Sequence, residues 1–477
     1  MQDSQQNLHR GLEERHINLM ALGAAIGVGL FLGSAKAIQM AGPAIMISYA
    51  LGGFAIFLIM RALGEMAIHD PVAGSFSRYA QNYLGPLAGY LTGWNYWFLW
   101  IVTCMAEITA VGVYMGVWFP GVSSWVWALS ALVIMGSVNF IAVKAYGEFE
   151  FWFALIKIVT IVLMIISSLG MILFGFGNGG VATGIAHLWQ HGGFMPNGVQ
   201  GILMSMQMVM FAYLGVEMIG LTAGEAKNPR KTLARAVDSV FWRILIFYVG
   251  ALFVVMSIYP WNEIGAQGSP FVMTFEKMGI PAAAGLINFV VLTAALSSCN
   301  SGIFSTGRML YNLAQQEQAL PMFAKVGKNG VPNAAVLISV VMLLGGVLLN
   351  YLAPEEVFTW LTAISTFGAI WTWVIILLSQ LKFRQTLSRS EVAALACRMP
   401  FFPYGSYIAL AFLVLVVGLM AYFPDTRIAL LVGPGWLLLL IVLYYALGYH
   451  RKPVSLPTAR ARSAPSPPAP PARTPCA

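Results

Sequence analysis

The sequence predicts an all-α polytopic membrane protein with twelve transmembrane helices. They are arranged as a 5+5 inverted repeat in which helices 1 and 6 are discontinuous. Three observations lead there. The 477 residues are 59% hydrophobic and only 9% charged, against about 25% charged in a soluble domain. Such a chain cannot cover itself with polar groups. Apolar runs of about 20 residues recur from end to end, long enough for helices to cross a bilayer and unlike the short alternating segments of a barrel. Two of these runs, five spans apart, are interrupted by glycine.

Taken in order, the spans fall at about 18–38, 43–64, 90–118, 123–142, 151–175, 198–221, 240–259, 280–308, 333–352, 357–381, 404–423 and 429–449. The third and eighth are long, so tilt or extension past the bilayer is expected. Span one contains "GAAIGVGLF" and span six "FAYLGVEMIGLTAGEA". Paired interruptions at matching positions in two halves point to an inverted-repeat transporter and to its binding site. The repeats run over about 18–175 and 198–381, with helices 11 and 12 (about 404–449) outside them. Residues 66–89 mix polar and aromatic side chains, as expected of a short amphipathic element on the cytoplasmic surface. Residues 1–17 are read as a cytoplasmic N-terminus with no cleavable signal peptide. The tail, 451–477, includes "APSPPAPPARTP", has no apolar periodicity and is expected to be disordered.

Charge sets the orientation. The connection after span six holds Lys227, Arg230, Lys231 and Arg235; Lys325 and Lys328 follow span eight; Lys382, Arg384, Arg389 and Arg398 follow span ten. The odd-numbered connections are poor in Lys and Arg and include Glu263, Glu355, Glu356 and Asp425. The positive-inside rule then places both termini of this multi-pass chain in the cytoplasm. This alternation accounts for the net charge of +8 without nucleic acid as a partner. Cys104, Cys299, Cys397 and Cys476 have no metal or redox spacing. Neither a metal nor another cofactor is expected.

Gly23, Gly27, Gly29 and Gly33 crowd the first span, although a glycine costs about 1 kcal/mol relative to Ala inside a helix. A break at membrane depth frees N–H and C=O groups that are tolerable only where they line a cavity. The start of a half-helix offers amides and partial positive charge to an anion, and its end offers carbonyls to a cation. A zwitterion matches both. The alternative is that these glycines only permit close helix packing.

The segments "GAAIGVGLFLGSA", "AGPAIMISYALGG", "RALGEMA", "GSFSRYA", "GPLAGYLTGWNYW", "FAYLGVEMIGLTAGEAKNP" and "STGRMLYNLA" resemble the bacterial amino acid transporter family of the amino acid–polyamine–organocation superfamily. Within it the chain is most similar to the proline-specific permease branch, through "GSFSRYAQNYLGPLAGY" and "NFVVLTAALSSCNSGIFSTGRMLYNLAQQ". Histidine, aromatic and GABA permeases share most of these motifs. The resemblance covers about residues 8–450 and implies a LeuT-like fold with the substrate between spans one and six. It implies that the substrate carboxylate meets the amides of Gly27, Val28 and Gly29. The amine then meets carbonyls near Ala25, Phe211 and Leu214. Tyr213, inside the second break, is either an aromatic gate or a packing face.

An ionisable residue within a span is a functional hypothesis. Glu217 follows the span-six break and resembles a glutamate with roles in proton coupling or gate stabilisation; a structural partner for exposed backbone is the alternative. Lys157, midway along span five, matches a lysine that takes the sodium position in proton-coupled relatives, with Ser297 and Ser298 as partners. Glu107 in span three faces the substrate or another buried group, and an acid here suits an imidazole side chain. Lys36 is expected to snorkel to the interface. Arg61 and Glu65 read as an interfacial pair, and Glu225 and Lys227 as loop anchors at the end of span six. No GxxxxGK[ST] motif is present, so ATP is not the expected energy source, and enzyme motifs are absent. The sequence thus reads as a proton-driven importer of a neutral amino acid, with proline first and histidine, GABA or an aromatic amino acid next. The lipid bilayer is its medium and no obligate protein partner is expected. A non-transporting amino acid sensor is the reading from a different class.

Overall fold

The computed structural model describes residues 26–451, apart from 73, 142, 223–228, 265–268, 278–280, 328 and 396. Ala25, Glu225, Lys227, the N-terminus and the tail from 452 lie outside the described residues. Among those described the secondary structure is helical, with no strand. After non-helical Ile26 and Gly27 come α1 (Val28–Phe31) and α2 (Gly33–Ala41). A 3-10 turn at Gly42–Ala44, with Gly42 at φ 60°, leads into α3 (Ile45–His69). There follow α4 (Ser75–Leu84), α5 (Pro86–Trp118), α6 (Ser124–Ile141), α7 (Val143–Phe174), α8 (Gly198–Ala212), α9 (Met218–Thr222) and α10 (Pro229–Arg243). A π-helical stretch, Ile244–Gly250, joins α10 to α11 (Ala251–Ile258). The rest are α12 (Pro270–Lys277), α13 (Pro281–Gln315), α14 (Asn333–Leu352), α15 (Val357–Thr386), α16 (Arg389–Ala394), α17 (Tyr404–Tyr422) and α18 (Ile428–Ala446).

Ten helical stretches among the described residues are long and apolar enough to cross a membrane. One of them, Gly33–His69, is divided by the Gly42–Ala44 turn. Gly198–Ala212 is apolar but shorter, because the chain leaves the helix after Ala212. The predicted interruption in span six is therefore present as local structure; on span one the described chain enters a helix at Val28, and residues 18–25 lie outside the described residues.

Packing sorts the helices into a centre and a rim. α5 lies at the centre, against α13 and α15, with α4, α6 and α14 around it. α8 packs on α2 and α3, and α10 on α3. The rim helices turn bare apolar side chains outward: Val133 on α6, Leu163 on α7, Val414 on α17 and Leu431 on α18 are 56–74% exposed. An apolar surface on this scale suits a lipid solvent and not water. Hydrophobicity cannot drive helices together in lipid, so close contact must. At Gly29 a Cβ would stand 2.6 Å from the Ala212 Cα, which lets the start of α1 cross the end of α8.

Two expectations are corrected. The 66–89 segment does form a short helix, α4, but Ser75–Gln81 are buried against the bundle instead of lying on its surface. Its small and aromatic side chains fit a cleft: α4 packs against α5 and α15, and Phe76 meets Tyr96 edge-on at 4.6 Å. Arg61 and Glu65 do not pair with each other. Arg61 Nη1 donates to Asp238 Oδ1 at 2.8 Å. Glu65 pairs with Arg384, whose Nη2 lies 2.9 Å from Oε2, and also accepts from the Met399 amide at 2.6 Å. Each charge on α3 finds a partner on another element, which satisfies it more fully than an i,i+4 contact on one helix would.

Candidate functional site

The site grows out of the two interruptions. Gly27 is extended (φ −117°, ψ −161°), and α1 starts after it with no side-chain cap. α8 stops at Ala212, residues 213–217 turn, and α9 resumes at Met218. Gly215, at φ 99°, takes a conformation open to glycine and strained for other residues. Between the breaks lies a cavity lined by Gly27, Gly29, Phe211, Ala212 and Leu214, with Thr103 and Glu107 from α5 and Ser298 from α13. Water centres have about 10 Å³ of room in it, enough for one water molecule. That interior is too small for an amino acid.

Five of the residues singled out from the sequence, Gly27, Gly29, Phe211, Leu214 and Glu107, thus share one cavity. Val28 is buried beside them. Ala25 lies outside the described residues. Tyr213 does not line the cavity. Its hydroxyl donates to the Tyr49 carbonyl at 2.7 Å, and its ring packs against Tyr49 and Tyr248 at 5.8 and 4.7 Å. Of the two roles expected for Tyr213, the geometry matches the packing face.

The buried charges fall into two groups. Lys157 is fully buried on α7. Its Nζ donates to the Ile26 carbonyl at 3.2 Å and to Ser297 Oγ at 3.0 Å. Ser297 Oγ in turn donates to Glu150 Oε1 at 2.7 Å. Glu107 belongs to the same neighbourhood, with Oε1 accepting from Ser298 Oγ at 2.6 Å. Both carboxyls are within electrostatic reach of Lys157. Glu217 stands apart: Tyr96 donates to Oε1 at 3.2 Å, while Trp373 Nε1 and the Gly215 amide donate to Oε2 at 3.3 Å each. Side chains from α5 and α15 therefore hold the second break by its carboxylate.

Glu150, Tyr96, Trp373 and Thr103 escaped the sequence reading. Glu150 carried a signal, for it precedes Lys157 by seven residues, two helical turns, which puts both on one face. Tyr96, Trp373 and Thr103 sit in aromatic-rich or apolar runs and carried none. Lys36 does more than snorkel. Its Nζ donates to Thr359 Oγ1 at 3.2 Å, beside a larger cavity of about 470 Å³ that Gln39, Asn197 and Gln200 also line. Among the described residues no cluster of His, Cys, Asp and Glu is arranged to hold a metal ion.

Comparison with known proteins decides the family. The model of the amino acid permease family matches residues 16–456. This chain belongs to the amino acid permease family. It is 70% identical over 452 residues to the uncharacterized amino acid permease YtnA of Bacillus subtilis (strain 168), covering 95% of this chain and 98% of that protein. It is 50% identical over 448 residues to the probable threonine/serine transporter YbxG of the same organism, covering 93% and 96%. The amino-acid permease AapA, also from that organism, is 48% identical over 440 residues, 92% of this chain and 95% of that one. The protein is thus a multi-pass membrane transporter of amino acids and not an enzyme. Neither the family match nor these relatives single out a proline-specific branch.

Proposed function

We propose that this permease imports a small neutral amino acid by proton symport and alternating access. The scaffold is LeuT-like, with twelve spans and both termini on the cytoplasmic side of a bacterial membrane. The observation that carries the reading is the Lys157 ammonium on the Ile26 carbonyl, 3.2 Å away, at the first break. A lysine at mid-membrane costs about 3 kcal/mol on insertion scales, and here it is spent on a carbonyl that the break leaves free. Ser297 joins that ammonium to Glu150. A proton gained or lost in this acid–base pair changes how firmly Lys157 holds the break. That couples proton movement to the shape of the substrate site.

The substrate carboxylate lies against the amides at Gly27, Val28 and Gly29, and its amine against carbonyls near Ala25, Phe211 and Leu214. Glu217, held by Tyr96 and Trp373, braces the second break and closes the inner path. Thr103 and Ser298 on the cavity wall suit a hydroxyl-bearing side chain, in keeping with a relative named as a probable threonine/serine transporter. Proline, implied by the branch resemblance, is the competing substrate.

Uptake by the purified protein in liposomes tests this. Labelled L-threonine, L-serine, L-proline and L-histidine are offered with an inward proton gradient imposed and then collapsed. Accumulation of at least one small neutral amino acid that stops on collapse is the expected result, and Lys157→Ala is expected to abolish it. Accumulation that persists undiminished without the gradient ends the proton-symport reading.

A further inference from the structure

Glu107 brings a carboxyl group from α5 to the place where a substrate carboxylate is expected. Its Oε1 accepts from Ser298 Oγ at 2.6 Å and would lie 3.0 Å from a Cβ on Gly27. The Val28 amide faces the same carboxyl. Gly27 gives α1 no side-chain cap of its own, and the Glu107 carboxyl stands beside that uncapped start. Glu107 is 2% exposed, and its Oε2 is buried with no hydrogen-bond partner among the described residues. Glu107 belongs to the wall of the one-water cavity between the breaks. A buried carboxyl oxygen with no donor is costly.

We propose that Glu107 is an internal stand-in for the substrate carboxylate: in the empty, closed protein it occupies the Gly27–Val28 position, and loading of an amino acid displaces it. The proposal rests on the carboxylate placement given under the proposed function. Two carboxylates cannot share amides in a space with room for one water, so the substrate and Glu107 compete. The competition has a use. Net import requires the empty carrier to return, and a return with bare amides at membrane depth is unfavourable. The Glu107 carboxyl, standing beside them, offsets their exposed partial charge during that step. Exchange of internal for external amino acid never requires the empty form to reorient and does not need the stand-in.

The test uses the full-length protein in liposomes and whichever of L-threonine and L-proline the wild type accumulates. Equilibrium binding, net uptake and exchange are measured for wild type, Glu107→Gln and Glu107→Asp. The glutamine keeps the shape and loses the charge; the aspartate keeps the charge but withdraws it by one methylene. Both variants are expected to bind the amino acid more tightly, which also shows that they fold, and to lose about tenfold in net uptake with a smaller loss in exchange. Weaker binding in both variants means that Glu107 grips bound substrate and overturns the proposal. So do unchanged binding and net uptake. The decarboxylated probes, 1-aminopropan-2-ol and pyrrolidine, separate the two layers. If wild type binds the amine as tightly as the amino acid, the carboxylate placement itself fails. If it rejects the amine while the variants behave as wild type, only the stand-in fails.

Discussion

At Gly29 the residue is dictated by close approach, since even a methyl group would meet the Ala212 backbone at 2.6 Å. Backbone cannot retreat as a flexible side chain can, and overpacking a tight contact typically costs about 1–3 kcal/mol. Gly29→Ala is therefore expected to lower the thermal midpoint of the purified protein in detergent and to depress uptake. Wild-type behaviour in both assays contradicts the tight crossing. Of the two readings of the first-span glycines, packing explains Gly29, and Gly27 is the extended residue before α1. Tyr213 shows the opposite case. Its place in the break suggested contact with substrate, but the turn rotates the ring toward Tyr49 and Tyr248. Tyr213→Phe loses one buried hydrogen bond, worth about 1 kcal/mol, so stability should fall slightly while the affinity for amino acid holds. A large change in affinity would place Tyr213 in the site after all. Lys157 was legible because a lysine inside an apolar run has few explanations. Glu150 was harder to see, lying among Glu148, Phe149 and Phe151 at the head of its run, where an acid reads as interfacial.

Among the elements, the span-six interruption was the most legible feature, because glycines within an apolar run have a direct backbone meaning. The α4 helix was legible as an element but not in its placement. Which face it buries depends on the cleft between α5 and α15, which no local pattern encodes. The same holds for Glu65. Its i,i+4 spacing from Arg61 suggests a local pair, but the partner comes from α15, more than 300 residues away in sequence. With Gln380 and the Met399 amide, Arg384 ties α3 to α15 and to the connection before α17. Removing one member of a buried ion pair costs about 3–5 kcal/mol. Glu65→Gln is thus expected to lower the unfolding midpoint well below that of wild type. Adding Arg384→Met should cost much less than a second independent loss, because the two side chains form one unit. Additive losses in the double variant would show that the pair is not a unit.

For the molecule as a whole, composition alone was enough for the solvent: a chain with so few charges must face lipid, and the bare apolar rim of α6, α7, α14, α17 and α18 agrees. The order and approximate limits of the apolar runs were legible too, since each needs only length and hydropathy. What composition and hydropathy could not give was the convergence of residues from α1, α5, α8 and α13 on one small cavity, which depends on how the helices cross. The account as a whole rests on an amino acid lodging between the two interruptions. A density map of the protein saturated with the amino acid it accumulates tests this most directly. The account predicts the substrate beside Gly27 and Gly29, against Phe211 and Leu214, in an expanded form of the present one-water cavity. Substrate found instead in the cavity beside Lys36, with the space between the breaks still closed, would contradict it.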